Sequence, residues 1–135
     1  MQTLIPVSVG ELIDKITILE IKAARISDLG KLENVRRELA LLDEVRAAAG
    51  IEGPQFEPLR SDLTRVNERL WDIEDDIRGC ERAGDMGETF VALARAVYIQ
   101  NDRRADLKRQ INLLFNSELI EEKSYAPYAR ADGPG

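Results

Sequence analysis

Two heptad ladders follow one another through this chain. Phe56, Leu59, Leu63, Val66, Leu70, Ile73, Ile77 and Cys80 alternate three and four apart without a break. Met86, Phe90, Leu93, Val97, Gln100, Arg104, Leu107, Ile111 and Leu114 keep that spacing after a turn carrying Gly84 and Gly87. Side chains so spaced return to one stripe of a slightly underwound helix. The two stripes are therefore predicted to zip together as an antiparallel, coiled-coil-like hairpin.

Upstream, Ser8-Val9-Gly10-Glu11 has the spacing of a capping box, which starts a helix at Val9. Leu12, Ile16, Leu19, Ala23 and Ile26 share one stripe, while Ile13, Ile18 and Ile21 fall off it, so this helix is apolar around much of its circumference and expected to be buried or at an interface. Lys15 to Lys22 is β-branched and partly alternating, which leaves a strand as the competing reading. The cap, and the lack of a second strand to pair with, favour the helix. Ser27 to Gly30 reads as a turn; Leu32, Val35, Leu39, Leu42 and Val45 then carry a second helix toward Gly50.

The expected fold is all-α: two antiparallel helical hairpins forming a four-helix bundle, the second hairpin longer. Its helices cover about 9–27, 31–49, 55–82 and 86–116 in one domain over 1–126, followed by a flexible tail at 127–135. At ~1.5 Å per residue the last two helices run roughly 42 to 46 Å and the first two nearer 30 Å. A short hairpin covers only part of a long one, and a homodimer is the economical way to cover the rest.

Composition narrows the chemistry. The net charge is −6 and aromatics are 5% of the chain, which disfavours nucleic acid as a partner. There is no histidine, so triads and metal sites that need one are excluded. The single cysteine, Cys80, lies on the apolar seam and reads as a small core residue rather than a reactive thiol. No apolar run approaches the ~20 residues of a membrane span and no secretory leader is visible, so a cytoplasmic location is expected.

Candidate functional residues are those that packing alone does not explain. Gln100 and Arg104 interrupt the second ladder. Pairing positions that sum to about 168 brings them to the region of Glu68 and Thr64, giving a polar layer of Asn67, Glu68, Gln100, Asn101 and Arg104, with Lys108 one turn on. Such a layer either fixes register or lines a ligand pocket. Glu68, Asp72, Asp75 and Asp76 form an acidic run that reads as a solvated face or as an oxygen-only Mg²⁺ site. Glu11 and Asp14 have the Glu-x-x-Asp spacing found in all-α nucleotide pyrophosphohydrolases, although Asn101 and Asp102 do not complete that pattern. Basic residues Arg103, Arg104, Lys108 and Arg109 gather with Arg60 and Arg65 at the open end of the hairpin. Pairs such as Asp62 with Arg65, or Asp102 and Asp106 with Arg103 and Arg109, are expected to absorb most of that charge. Trp71 points off the ladder, toward the first hairpin. Tyr125 and Tyr128 either dock on a partner or pack back on the bundle.

The stretches Ile5 to Lys22, Leu70 to Arg78, Asn101 to Arg104 and Glu121 to Tyr125 resemble a family of small bacterial all-helical proteins of unknown function, and the likeness covers nearly the whole chain. The resemblance implies no activity. It does point to the acidic run, the polar layer and the tyrosine tail. The function expected is that of a non-enzymatic interaction, scaffold or ligand-binding protein that self-associates and uses no cofactor. The alternative is a Mg²⁺-dependent enzyme on a nucleotide or sugar phosphate, with Arg104 or Lys108 on the phosphate. Convergence of Asp72, Asp75 and Asp76 with Glu11 or Asp14 around a cavity would favour the enzyme; a fan of carboxylates into solvent would favour the scaffold.

Overall fold

Ser8 takes the N-cap position, its hydroxyl oxygen accepting from the Glu11 amide at 3.1 Å, and α1 follows over Val9–Arg25. The glutamate half of the box is used elsewhere, because the Glu11 carboxylate receives the Lys108 ammonium. The structure, a computed structural model, describes residues 1–129. The end of the expected tail, 130–135, lies outside the described residues. After α1 come α2 (Leu29–Ala48), α3 (Phe56–Ala83) and α4 (Glu88–Leu114), with no strand among the described residues. The β-branched run of α1 is helical because the fold buries it on several sides: Ile13 and Ile16 are fully enclosed, and Ile21, off their stripe, is buried as well.

The helices assemble into a four-helix bundle organised around α1. That helix packs against all three others, whereas α2 packs on α1 alone. Leu12, Ile13 and Ile16 of α1 meet Phe56, Leu63 and Val66 of α3 and Leu107 and Ile111 of α4 in one apolar cluster, with Ile51 from the α2–α3 linker plugged into it. Each such side chain contributes about 1.5–3 kcal/mol on full burial. Phe56 and Phe115 close the base edge to face, centroids 5.4 Å apart. Trp71 is half-buried beneath the Arg25 guanidinium of α1, on the first-hairpin side as expected.

Helix ends differ from the periodicity where local chemistry intervenes. α2 begins ahead of the expected position because Asp28 caps it, accepting from the Lys31 amide at 2.9 Å. α3 ends in a Schellman turn: Gly84 sits at φ 70°, and the Asp85 amide donates to the Cys80 carbonyl. The Asp85 side chain then accepts from the Gly87 amide, which delays α4 to Glu88. At the far end Asn116 adopts φ 55° and the Ser117 amide donates to the Asn112 carbonyl at 2.9 Å. This second Schellman turn stops α4 at Leu114 and sends the chain back along the same helix.

α1 engages only the open end of the long hairpin. Its side-chain hydrogen bonds and ion pairs to the hairpin fall between Arg60 and Asp72 on α3 and between Arg104 and Asn112 on α4. Toward the turn, Met86 and Val91 are exposed although they belong to, or lie beside, the second ladder. Val45, expected on the buried stripe of α2, is exposed too.

The closest approach is at Gly10, whose amide donates to the buried Asn112 Oδ1 at 2.6 Å. A methyl group on Gly10 would stand 2.5 Å from the Lys108 carbonyl oxygen, which is backbone and cannot swing aside. Gly10→Ala is therefore expected to destabilise the fold by about 1–3 kcal/mol, read as a lower urea midpoint; an unchanged midpoint would mean that α1 and α4 are not this close.

Candidate functional site

Asp14 carries the site. It lies on the face of α1 that meets α3 and α4, and its side chain is 1% exposed. A carboxylate so placed needs charge and hydrogen-bond partners from the protein. Oδ1 accepts from Arg104 Nε at 2.9 Å and from Asn67 Nδ2 at 3.0 Å. Oδ2 takes Arg104 Nη2, making the guanidinium pair bidentate. Thr17, one turn on, donates its hydroxyl to the Asp14 carbonyl and accepts from Asn67 Nδ2 at 3.0 Å. Three helices thus share one hydrogen-bonded knot, and no buried side-chain polar atom among the described residues lacks a partner.

Lys108 extends the knot toward solvent. Its side chain is 9% exposed, and Nζ donates to Glu11 Oε2 and to Glu121 Oε2, each at 2.8 Å, with Asp14 Oδ2 at 3.9 Å. Glu121 belongs to the segment that follows the second Schellman turn. This segment runs back along α4 with Glu122 on Arg109, Lys123 on Asp102, and the Tyr128 ring 5.2 Å from that of Tyr98. Between it and α4 lies a cleft of about 470 Å³ lined by Asn101, Arg104, Ala105 and Lys108 on one side and by Glu121 to Tyr125 on the other.

The family of unknown function DUF6165 matches residues 3–134. The chain belongs to that family. No curated protein and no solved structure matches it.

In this DUF6165 protein the residues expected to form a polar layer divide. Asn67, Arg104 and Lys108 converge, and Asn101 lines the adjoining cleft. Glu68 and Gln100 are half-buried and take no part in the knot. Arg104 reaches α1 rather than the Thr64 region of α3. The register itself is close to the one expected, since Asp62 shares a surface cleft with Arg103, Asp106 and Leu107. The acidic run does not converge. Asp72, Asp75 and Asp76 are exposed, Asp72 is paired with Arg25, and Glu74 is taken by Arg78. No group of three or more acidic or cysteine side chains able to hold a metal exists among the described residues. Asp62 does pair with Arg65. Asp102 and Arg109, expected to pair within the hairpin, instead take Lys123 and Glu122 of the returning segment. The organising residue, Asp14, had a signal in the sequence: an acid among isoleucines on an all-round apolar helix. Its Glu-x-x-Asp spacing with Glu11 suggested a metal, whereas the structure supplies both carboxylates with cations.

The electrostatics follow. Hydrogen bonding to Asp14 raises the Arg104 pKa above the ordinary arginine value, against the effect of burial. Burial alone would lower Lys108, but its hydrogen bonds to Glu11 and Glu121 and the nearby Asp14 charge more than reverse this, so the ammonium is held above the ordinary lysine value.

Asp14→Ala leaves Arg104 and Asn67 facing a void and is expected to cost about 3–5 kcal/mol in chemical denaturation. Asp72→Ala, which removes an exposed pair, should change stability by less than about 1 kcal/mol; equal effects would contradict the knot. Because the folded pKa of Lys108 exceeds its unfolded one, its contribution is complete below the ordinary value of 10.5 and is lost as pH rises through the folded value. A denaturation series across that range should fall more steeply for the wild type than for Lys108→Met.

Proposed function

We propose that this protein is a non-enzymatic binding module that receives an anionic group in the cleft above Arg104 and Lys108, and that it self-associates through the turn-proximal half of its long hairpin. One observation carries the binding reading: the Arg104 guanidinium is held by a buried carboxylate, the Lys108 ammonium is held beside it by Glu11, and both side chains lie on the wall of a cleft. Oxyanions are bound well by donors that need no reorganisation, and the guanidinium N–H groups that Asp14 leaves open, backed by an ammonium, are such a set. Lys108 has three donors, and its two closest contacts are both carboxylates, which is the chemistry the site selects.

Self-association is supported by the uncovered end of the hairpin. Met86 and Val91 project from a stretch to which α1 makes no hydrogen bond or ion pair, and a second copy offers the same surface. No helix among the described residues is long and apolar enough to cross a membrane. The Mg²⁺-dependent alternative lacks comparable support, because the carboxylates it needs are spread along an exposed face of α3.

Titration calorimetry with inorganic phosphate, repeated with glutarate, tests the site. Saturable binding to the wild type, weakened at least about tenfold in Lys108→Met, is expected, a charged hydrogen bond corresponding to ~1.5–3 kcal/mol; absence of binding by either anion would remove the reading. Sedimentation equilibrium over a concentration series should give a dimer that Met86→Lys with Val91→Lys converts to monomer. A wild type that stays monomeric throughout would remove the self-association.

A further inference from the structure

The segment after α4 is fastened in two different ways along its length. Ser117 is anchored: its amide donates to the Asn112 carbonyl, its hydroxyl accepts from the Val9 amide at 3.1 Å and donates to the Leu119 carbonyl at 2.7 Å. From 118 to 129, by contrast, no backbone–backbone hydrogen bond joins the segment to the bundle among the described residues. It is held by side chains: Glu121 on Lys108, Glu122 on Arg109, Lys123 on Asp102, and Tyr128 against Tyr98. The glutamates are 58% and 76% exposed, the range in which an ion pair is weak and easily exchanged.

Charge balance singles out Glu121. Arg104 and Lys108 bring two positive charges to the knot, and Glu11 and Asp14, both on α1, bring two negative ones. The body of the bundle is therefore already neutral there, and Glu121 is a surplus anion drawn to a donor of Lys108 that Glu11 leaves open. A carboxylate on a loosely held segment, beside both cations on the wall of a cleft that they line, occupies the place of an incoming anion.

We propose that residues 118–129 are a strap that closes the binding cleft, with Glu121 standing in for the ligand's anionic group, so that a phosphate- or carboxylate-bearing ligand enters by exchange with Glu121 and releases the strap as far as Tyr128. This rests on the anion-binding reading above and adds its regulation: the site in its resting state is self-occupied, and anything that loosens the strap raises affinity. The hinge is the Asn116–Ser117 turn, which stays fixed because the Ser117 amide is bonded to α4 and its hydroxyl to α1, while the bond from that hydroxyl to the Leu119 carbonyl holds only the first residues of the strap.

Three full-length proteins test this with inorganic phosphate and glutarate as separate probes: wild type, Glu121→Gln and Tyr128→Ala. Glu121→Gln removes the competing charge. Tyr128→Ala loosens the far end of the strap without altering any charge, so it separates release of the strap from a simple change in local potential. Both variants are expected to bind tighter than wild type, Glu121→Gln by about fivefold, the ratio that corresponds to ~1 kcal/mol for one pair. The Tyr98–Tyr128 ring cross-peak in a proton NMR spectrum of the wild type is expected to disappear on saturation. Tighter binding by Glu121→Gln alone, with the cross-peak retained at saturation, would overturn the strap and leave the anion site standing. No binding of either probe to any of the three would overturn the site, and the strap's role with it. Response to phosphate alone, or to glutarate alone, with the cross-peak lost, supports the strap and identifies which source of the anion the cleft accepts.

Discussion

Asp14 has almost no contact with water, and every partner that stabilises its charge comes from another helix. Arg104 is on α4, Asn67 on α3, and Lys108 stands one turn beyond Arg104. Apolar contacts between helices are tolerant of sliding, since one leucine or isoleucine replaces another at a cost of order 1 kcal/mol. A bidentate carboxylate–guanidinium pair is not: a shift of one helical turn, ~5.4 Å, would pull the guanidinium fork off Asp14 and take the buried carboxylate away from Asn67. The knot therefore selects one placement of α1 across the long hairpin. Gly10 enforces the same placement from the other side, because only a residue without a side chain lets the α1 backbone meet the Lys108 carbonyl.

That placement has a second consequence. Arg104 and Lys108 each face inward to α1 and outward to the cleft, so the interaction that fixes the fold also fixes the geometry of the surface cations. The orientation of Arg104 is set by a carboxylate shielded from solvent and that of Lys108 by Glu11 on α1, whereas the Arg25–Asp72 and Arg78–Glu74 pairs are exposed and free to rearrange. Rigidity is thus graded along the molecule. It is greatest where α1 crosses the hairpin, and falls off toward the Gly84 turn and along the segment after Ser117.

Much of the fold was legible because it rests on periodicity. The unbroken α3 ladder, the Ser8 cap, the all-round apolarity of α1 and the glycine turn each state which face of an element is apolar or where it stops, and α1 is buried as that pattern requires. The partner of each face was not legible. Periodicity gives an angle around a helix axis and says nothing of which helix arrives there, so Arg104 was assigned to the neighbouring α3 when its partner is ninety residues away in sequence on α1. The second Schellman turn was also missed, because Asn116 carries no glycine to announce it, and with it the return of the chain along α4. Asp62 pairs with Arg65 as expected, but the pairing expected of Asp102 and Arg109 within the hairpin failed for the same reason: both have partners in a segment whose path the sequence pattern does not reveal.

The arrangement of carboxylates bears on what kind of chemistry the bundle suits. A general base must have a lone pair directed at substrate and a proton affinity that the protein leaves available. Asp14 has no oxygen free for this: both accept from Arg104, one also from Asn67. Glu11 is committed to Lys108, and the acids of α3 face solvent without a common focus. On the α4 wall of the cleft the charged groups are Arg104 and Lys108, both hydrogen-bond donors, and the facing wall carries Glu121, Glu122 and Lys123. The inward-turned acids thus act as supports for the two cations, and Glu121, the carboxylate that reaches Lys108 from the cleft side, belongs to a segment that no backbone–backbone hydrogen bond fastens to the bundle among the described residues.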